Sequence, residues 1–225
     1  MRAALPAKYL RRPLLAASLL VFLGACGQGG GLGGGILAGM SRAKAPATAR
    51  LASGRIIVAG PPGFCVQKSS RVTTRGSGFI ALGQCASISG NPEDATVSNP
   101  ALLSVSVTAL SDPAQATPEV LAQYFTSGGG RDGVKSTEIE GDVLIIRARD
   151  TSPRRPTDLN NAYWRAMFTR KGYLISLNVS SLAETPISEA TGRRLLADFI
   201  KAMQQANPRD EKDANGVVSL LNRLL

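Results

Sequence analysis

Residues 162 to 179, AYWRAMFTRKGYLISLNV, alternate apolar and polar side chains on both sides of Lys171-Gly172, a period of two that fits strands and no helix. A two-residue turn at that pair sets Phe168 opposite Ile175, Ala166 opposite Leu177 and Trp164 opposite Val179. The second face then carries Tyr163, Arg165, Thr169, Ser176 and Asn178. Residues 102 to 110 keep the same rhythm, with Leu103, Val105, Val107 and Ala109 against Ser104, Ser106 and Thr108. Further strands are predicted at 55 to 58, ended by Gly60-Pro61-Pro62-Gly63, on both sides of a turn near Arg75-Gly76, and over 136 to 149 with a turn at Gly141-Asp142. Two helices are available to cover them. Thr117 caps one, with Pro118 in its first turn and a stripe of Val120, Leu121, Tyr124 and Phe125, stopped by Gly128-Gly129-Gly130. Ser188 caps the other, whose Leu195, Leu196, Phe199, Ile200 and Met203 share a face before Asn207-Pro208. This order predicts an α+β fold, an antiparallel sheet with helices packed on one face.

None of that pattern begins before residue 55. Arg2, Lys8, Arg11 and Arg12 precede an apolar core at residues 14 to 23, and bilayer spanning takes roughly 20 apolar residues, so the core suits an export signal better. The core runs into Leu23-Gly24-Ala25-Cys26, which resembles the lipobox of bacterial lipoproteins. The resemblance implies cleavage after residue 25 and acylation of Cys26, and several acyl chains make attachment durable where one holds only marginally. An ordinary secretory signal that leaves Cys26 unmodified is the alternative. Gly27 stands where an aspartate would, by the enterobacterial pattern, retain a lipoprotein at the inner membrane, so the resemblance favours the outer membrane. The glycine-rich, uncharged stretch that follows cannot form a core and reads as a tether. The division expected is a signal at 1–25, a lipidated cysteine and tether at 26–54, a domain at 55–207, and a hinge with a short amphipathic end at 208–225. That end, with Val217, Leu220, Leu221, Leu224 and Leu225 at helical spacing, is too short to be helical alone and must dock on its own domain or a partner.

Four of the 26 basic residues lie in the signal, which leaves 22 against 16 acids. Export removes nucleic acid from the partners that such a balance suggests. Lipid headgroups and other anionic envelope components remain, as does plain solubility. The membrane, through the lipid anchor, and an envelope protein or anionic ligand are the partners expected.

The chain has no histidine, which removes histidine-assisted nucleophiles and histidine-ligated zinc. Cys65 and Cys85 form no Cys-x-x-Cys pair. Export to an oxidising compartment, the even pair left once Cys26 is lipidated, and a turn at their midpoint predict a Cys65–Cys85 disulfide, with two buried thiols as the alternative. Glu138, Glu140, Asp142, Asp150 and Asp158 are the acids available for acid/base work, or are solvated surface. Arg147, Arg149, Arg154, Arg155 and Arg165, near Arg170, Lys171, Tyr163 and Trp164, form either an anion-binding patch or a solvated edge. No cofactor or metal motif is present.

GPPGFCV followed by LGQC is similar to a family of small exported bacterial lipoproteins, some of them labelled cation-transport ATPases. The phosphate cradle that label needs is missing. In SGGGRDGVKST the glycines end a helix instead of opening one, and no Asp-Lys-Thr-Gly occurs. The order of elements also resembles PsbP-type extrinsic domains, which implies a helix-flanked antiparallel sheet. Two functions stay open: a non-enzymatic binding or envelope-assembly module facing the periplasm, which the residues favour, and a carboxylate-dependent cell-wall or glycan-processing enzyme.

Overall fold

The computed structural model describes residues 43–128, 133–153 and 156–209. Cys26, expected as the acylated residue, Arg154, Arg155 and the expected amphipathic end at 216–225 lie outside them. Among the described residues nine strands form two antiparallel sheets. A small one pairs β1 (Thr48–Leu51) with β2 (Ile56–Ala59). The large one contains β3 (Phe64–Thr73), β4 (Ser77–Gln84), β5 (Ala101–Ala109), β6 (Gly133–Glu140), β7 (Val143–Arg149), β8 (Leu159–Arg170) and β9 (Tyr173–Leu182). Its spatial order is β3-β4-β5-β9-β8-β7-β6, which is two meanders joined along β5 and β9. The helices are α1 (Cys85–Ser89), α2 (Pro118–Thr126) and α3 (Glu189–Ala206).

The alternation places the side chains as expected. Phe168 pairs with Ile175, Ala166 with Leu177 and Trp164 with Val179, and the turn has positive φ at both Lys171 (52°) and Gly172 (76°), the two-residue geometry that matches strand twist. Thr117 and Ser188 cap their helices by accepting hydrogen bonds from Val120 N and Thr191 N. The main core lies between one sheet face, with Val105, Ile145, Phe168 and Leu177, and the Leu196, Phe199, Ile200 and Met203 stripe of α3, with Leu51, Ile56 and Val58 closing one end.

The α+β class with an antiparallel sheet under a covering helix is therefore observed, with a finer division of labour. The long α3 takes one face alone. The short α2 lies on the reverse face, where Leu121, Ala122 and Phe125 pack on Leu144, Ile146, Ala148, Tyr163 and Met167. The cause is in β7, whose Val143, Leu144, Ile145 and Ile146 are all buried and so present apolar surface to both sides.

The fold also starts earlier than residue 55. Leu51 and Ala52 are fully buried, and Val66 N donates to Pro46 O. The β1–β2 hairpin turns through Ala52, Ser53 and Gly54, all at positive φ, and two of those residue types do not advertise such a turn. Cys65 and Cys85 do form a disulfide, with Cα atoms 4.8 Å apart. Their placement differs from a plain hairpin: Cys65 pairs with Gly83, and Cys85 opens α1 beyond the strand. A bulge between Gln67 and Val72 moves the register, and Ser70 Oγ holds it by accepting from Ala81 N and donating to Gln67 O.

Candidate functional site

Strand alternation decides what the arginines can do together. Arg147 lies on the α3 face of β7, beside its cross-strand neighbour Trp164. Its guanidinium stacks 5.2 Å from the Trp164 ring, and its Nε donates to Glu189 Oε1 at 2.8 Å, across to the first turn of α3. Arg149 shares that face at the exposed end of β7. Arg165 pairs with Ile146 and therefore sits on the reverse face, 5.1 Å over Tyr163, with its Nε on Asn178 Oδ1 at 2.8 Å. The predicted basic patch is thus divided by the sheet. Arg170, only 5 % exposed, is separate again, bonding Asp142 at 2.5 Å.

Around Arg147 a shallow cleft of about 350 Å³ opens between β6, β8 and α3, lined by Ser136, Glu138, Trp164 and Arg193 as well as the Arg147–Glu189 pair. A smaller hollow of about 40 Å³ continues toward Asn160, Ser181 and Ser188. Trp164 is held against α3 because position 192 is glycine: a Cβ there would stand 2.7 Å from Trp164 Cδ1. The indole Nε1 beneath the helix is shielded and has no hydrogen-bond partner. A glycine inside a helix was the sequence signal for this contact, since it costs about 1 kcal/mol against alanine unless something needs the space.

The acids are held by the same framework. Glu138 and Glu140 share the α3 face and both bond Arg193, the first at 3.4 Å. Burial alone would raise the Asp142 pKa, but hydrogen bonds from Arg170 and Arg209 overcome it and hold the carboxyl below its usual range. Glu189 is lowered by the Arg147 hydrogen bond, and Asp94 by hydrogen bonds from Ser89 and from Ala45 N. Asp150 accepts from Ser152 N at 2.8 Å, and the Asp158 carbonyl accepts from Ala183 N. Every resolved shift among the described acids is downward, the opposite of what a general acid needs. Among the described residues no three metal-ligating side chains gather, and no helix is long and apolar enough to cross a membrane. Arg147, Trp164, Glu189 and Gly192 are the combination that charge counting missed, because the link between the strands and α3 is made only in the fold. No family model, curated protein or solved structure matches the chain.

Proposed function

We propose that this chain is a membrane-anchored, periplasm-facing lipoprotein, with the outer membrane favoured, whose domain is a non-enzymatic binding or envelope-assembly module. The observation that carries the reading is how the three cysteines are distributed. Cys65 and Cys85 are joined in a disulfide, which persists in oxidising compartments, and the third, Cys26, stands in the lipobox before a glycine tether. The resemblance to small exported lipoproteins through GPPGFCV and LGQC agrees with it. The site supports binding over catalysis, because Glu138, Glu140 and Asp142 are committed to arginines and the cleft between β6 and α3 is shallow. Mass spectrometry of the mature N-terminus, with detergent partitioning, tests the anchor. A diacyl or triacyl Cys26 is the expected result, and an unmodified terminus at another residue in a cell with the processing enzymes overturns it.

A further inference from the structure

The excess of positive charge lies in one part of the chain. Residues 1 to 92 contain no aspartate or glutamate, and all 16 acids begin at Glu93. From there on the chain carries 15 basic residues against those 16 acids, so the excess beyond the signal comes entirely from Arg42, Lys44, Arg50, Arg55, Lys68, Arg71 and Arg75. Folding then gathers five of them. Ala52 N donates to Thr73 Oγ1, and Gly78 lies against Leu51, so the β1–β2 turn with Arg50 and Arg55 comes to the end of the sheet where β3 turns into β4. Arg71 and Arg75 flank that tip, and Lys68 stands in the β3 bulge. All five are exposed, and none makes an ion pair among the described residues, whereas Arg147, Arg170, Arg193 and Arg209 each meet a carboxylate.

The same tip carries apolar surface. Val72 and Phe79 are cross-strand partners, 62 % and 40 % exposed. Beside them on that face the next rung continues through Ser106 and Ser176 without a charge. Val72 and Phe79 lie on the reverse face of that tip, across the sheet from the β1–β2 turn with Arg50 and Arg55, so the end of the hairpin carries apolar side chains on one face and unanswered cations on the other. With no acid in the surrounding sequence, a tip presented end-on brings both to negatively charged headgroups over an apolar layer.

We propose that the tip of the β3–β4 hairpin, with the β1–β2 turn beside it, is a membrane-contact surface for an anionic phospholipid leaflet. The cations meet lipid phosphates, and Val72 and Phe79 enter the headgroup layer. This rests on the lipid-anchored reading above, and gives the domain a second point of attachment besides Cys26.

The test uses the mature chain, purified from the envelope and reconstituted into vesicles that contain brominated lipid. In Phe79→Trp, the new indole should be quenched in vesicles of phosphatidylglycerol and phosphatidylcholine. The wild type, whose Trp164 lies against α3, should not be. Quenching should vanish in pure phosphatidylcholine and at 1 M salt, where screening falls to about 3 Å. Adding Lys68→Gln, Arg71→Gln and Arg75→Gln should weaken the contact by roughly a hundredfold, about fivefold per cation, with an unchanged melting temperature showing that the variant is folded. Absence of quenching in anionic vesicles, equal quenching in neutral ones, or indifference to the triple variant overturns the proposal. Shielding that follows protein density instead of lipid charge assigns the surface to a second copy and also overturns it. Flotation with neutral vesicles reads the anchor alone, so failure of the anchor and failure of this surface are distinguishable.

Discussion

Asp142 joins three parts of the chain: it follows β6, accepts from Arg170 at the end of β8, and accepts from Arg209 just past α3. The pair with Arg170 is asymmetric, since the arginine is buried and its Nε has no hydrogen-bond partner, while the carboxylate is partly solvated. Asp142→Asn leaves a buried guanidinium short of its counter-charge, which should cost about 3 kcal/mol, or roughly 10 °C in melting temperature. Because the folded pKa lies below the unfolded value of about 3.9, the charge contribution is complete above that pH and is lost as pH falls through the folded value. Calorimetry at pH 7 and at pH 2 to 3 should therefore show the two proteins converging in acid, and a constant gap would exclude this origin. The acid at position 142 was visible in the sequence, but its partners were not. Likewise Arg147 and Arg165 look like neighbours in composition, and the one-residue difference in their strand register puts the sheet between them.

Elements with a strong local signal were legible. The β8–β9 hairpin follows from Lys171-Gly172 and its alternation down to the individual cross-strand pairs, and both α2 and α3 begin directly after their expected capping residues. Of the β1–β2 hairpin only β2 was legible, as the strand expected at 55 to 58; β1 was not, because four residues are too few to establish a period and the turn places Ala52 and Ser53 in a left-handed conformation. In the β3–β4 hairpin the strands were visible and the bulge was not, since Ser70 substitutes a side-chain hydroxyl for missing ladder partners. That hairpin is the element the disulfide encloses, the two cysteines standing at a sequence separation of 20. Replacing Cys65 and Cys85 by serine should lower stability by about 3 kcal/mol, the restriction that a loop of this size places on the unfolded chain. Thiol labelling of denatured, unreduced wild type should find neither residue reactive, and full labelling would remove the staple from the account.

At the scale of the molecule, alternation told which side chains share a face, and that was enough for the class of fold. It could not tell which strand lies beside which, because β5 and β9 each offer the same kind of apolar face to any neighbour. Ala101 meets Ser181, and Ala109 meets Tyr173, across a long stretch of intervening chain. Such pairing requires a large loop to close before it is stabilised, so refolding followed by Trp164 fluorescence should take milliseconds to seconds, as in other sheets of non-local pairing. Completion in microseconds would contradict this order of events. Each meander can form from local hairpins, but until they join, β5 and β9 are both open edges of half-built sheets. The strands best protected in the finished domain are thus the ones most exposed to wrong partners during its assembly, and an escort for the unfolded chain would have most to shield at what becomes the middle of the sheet.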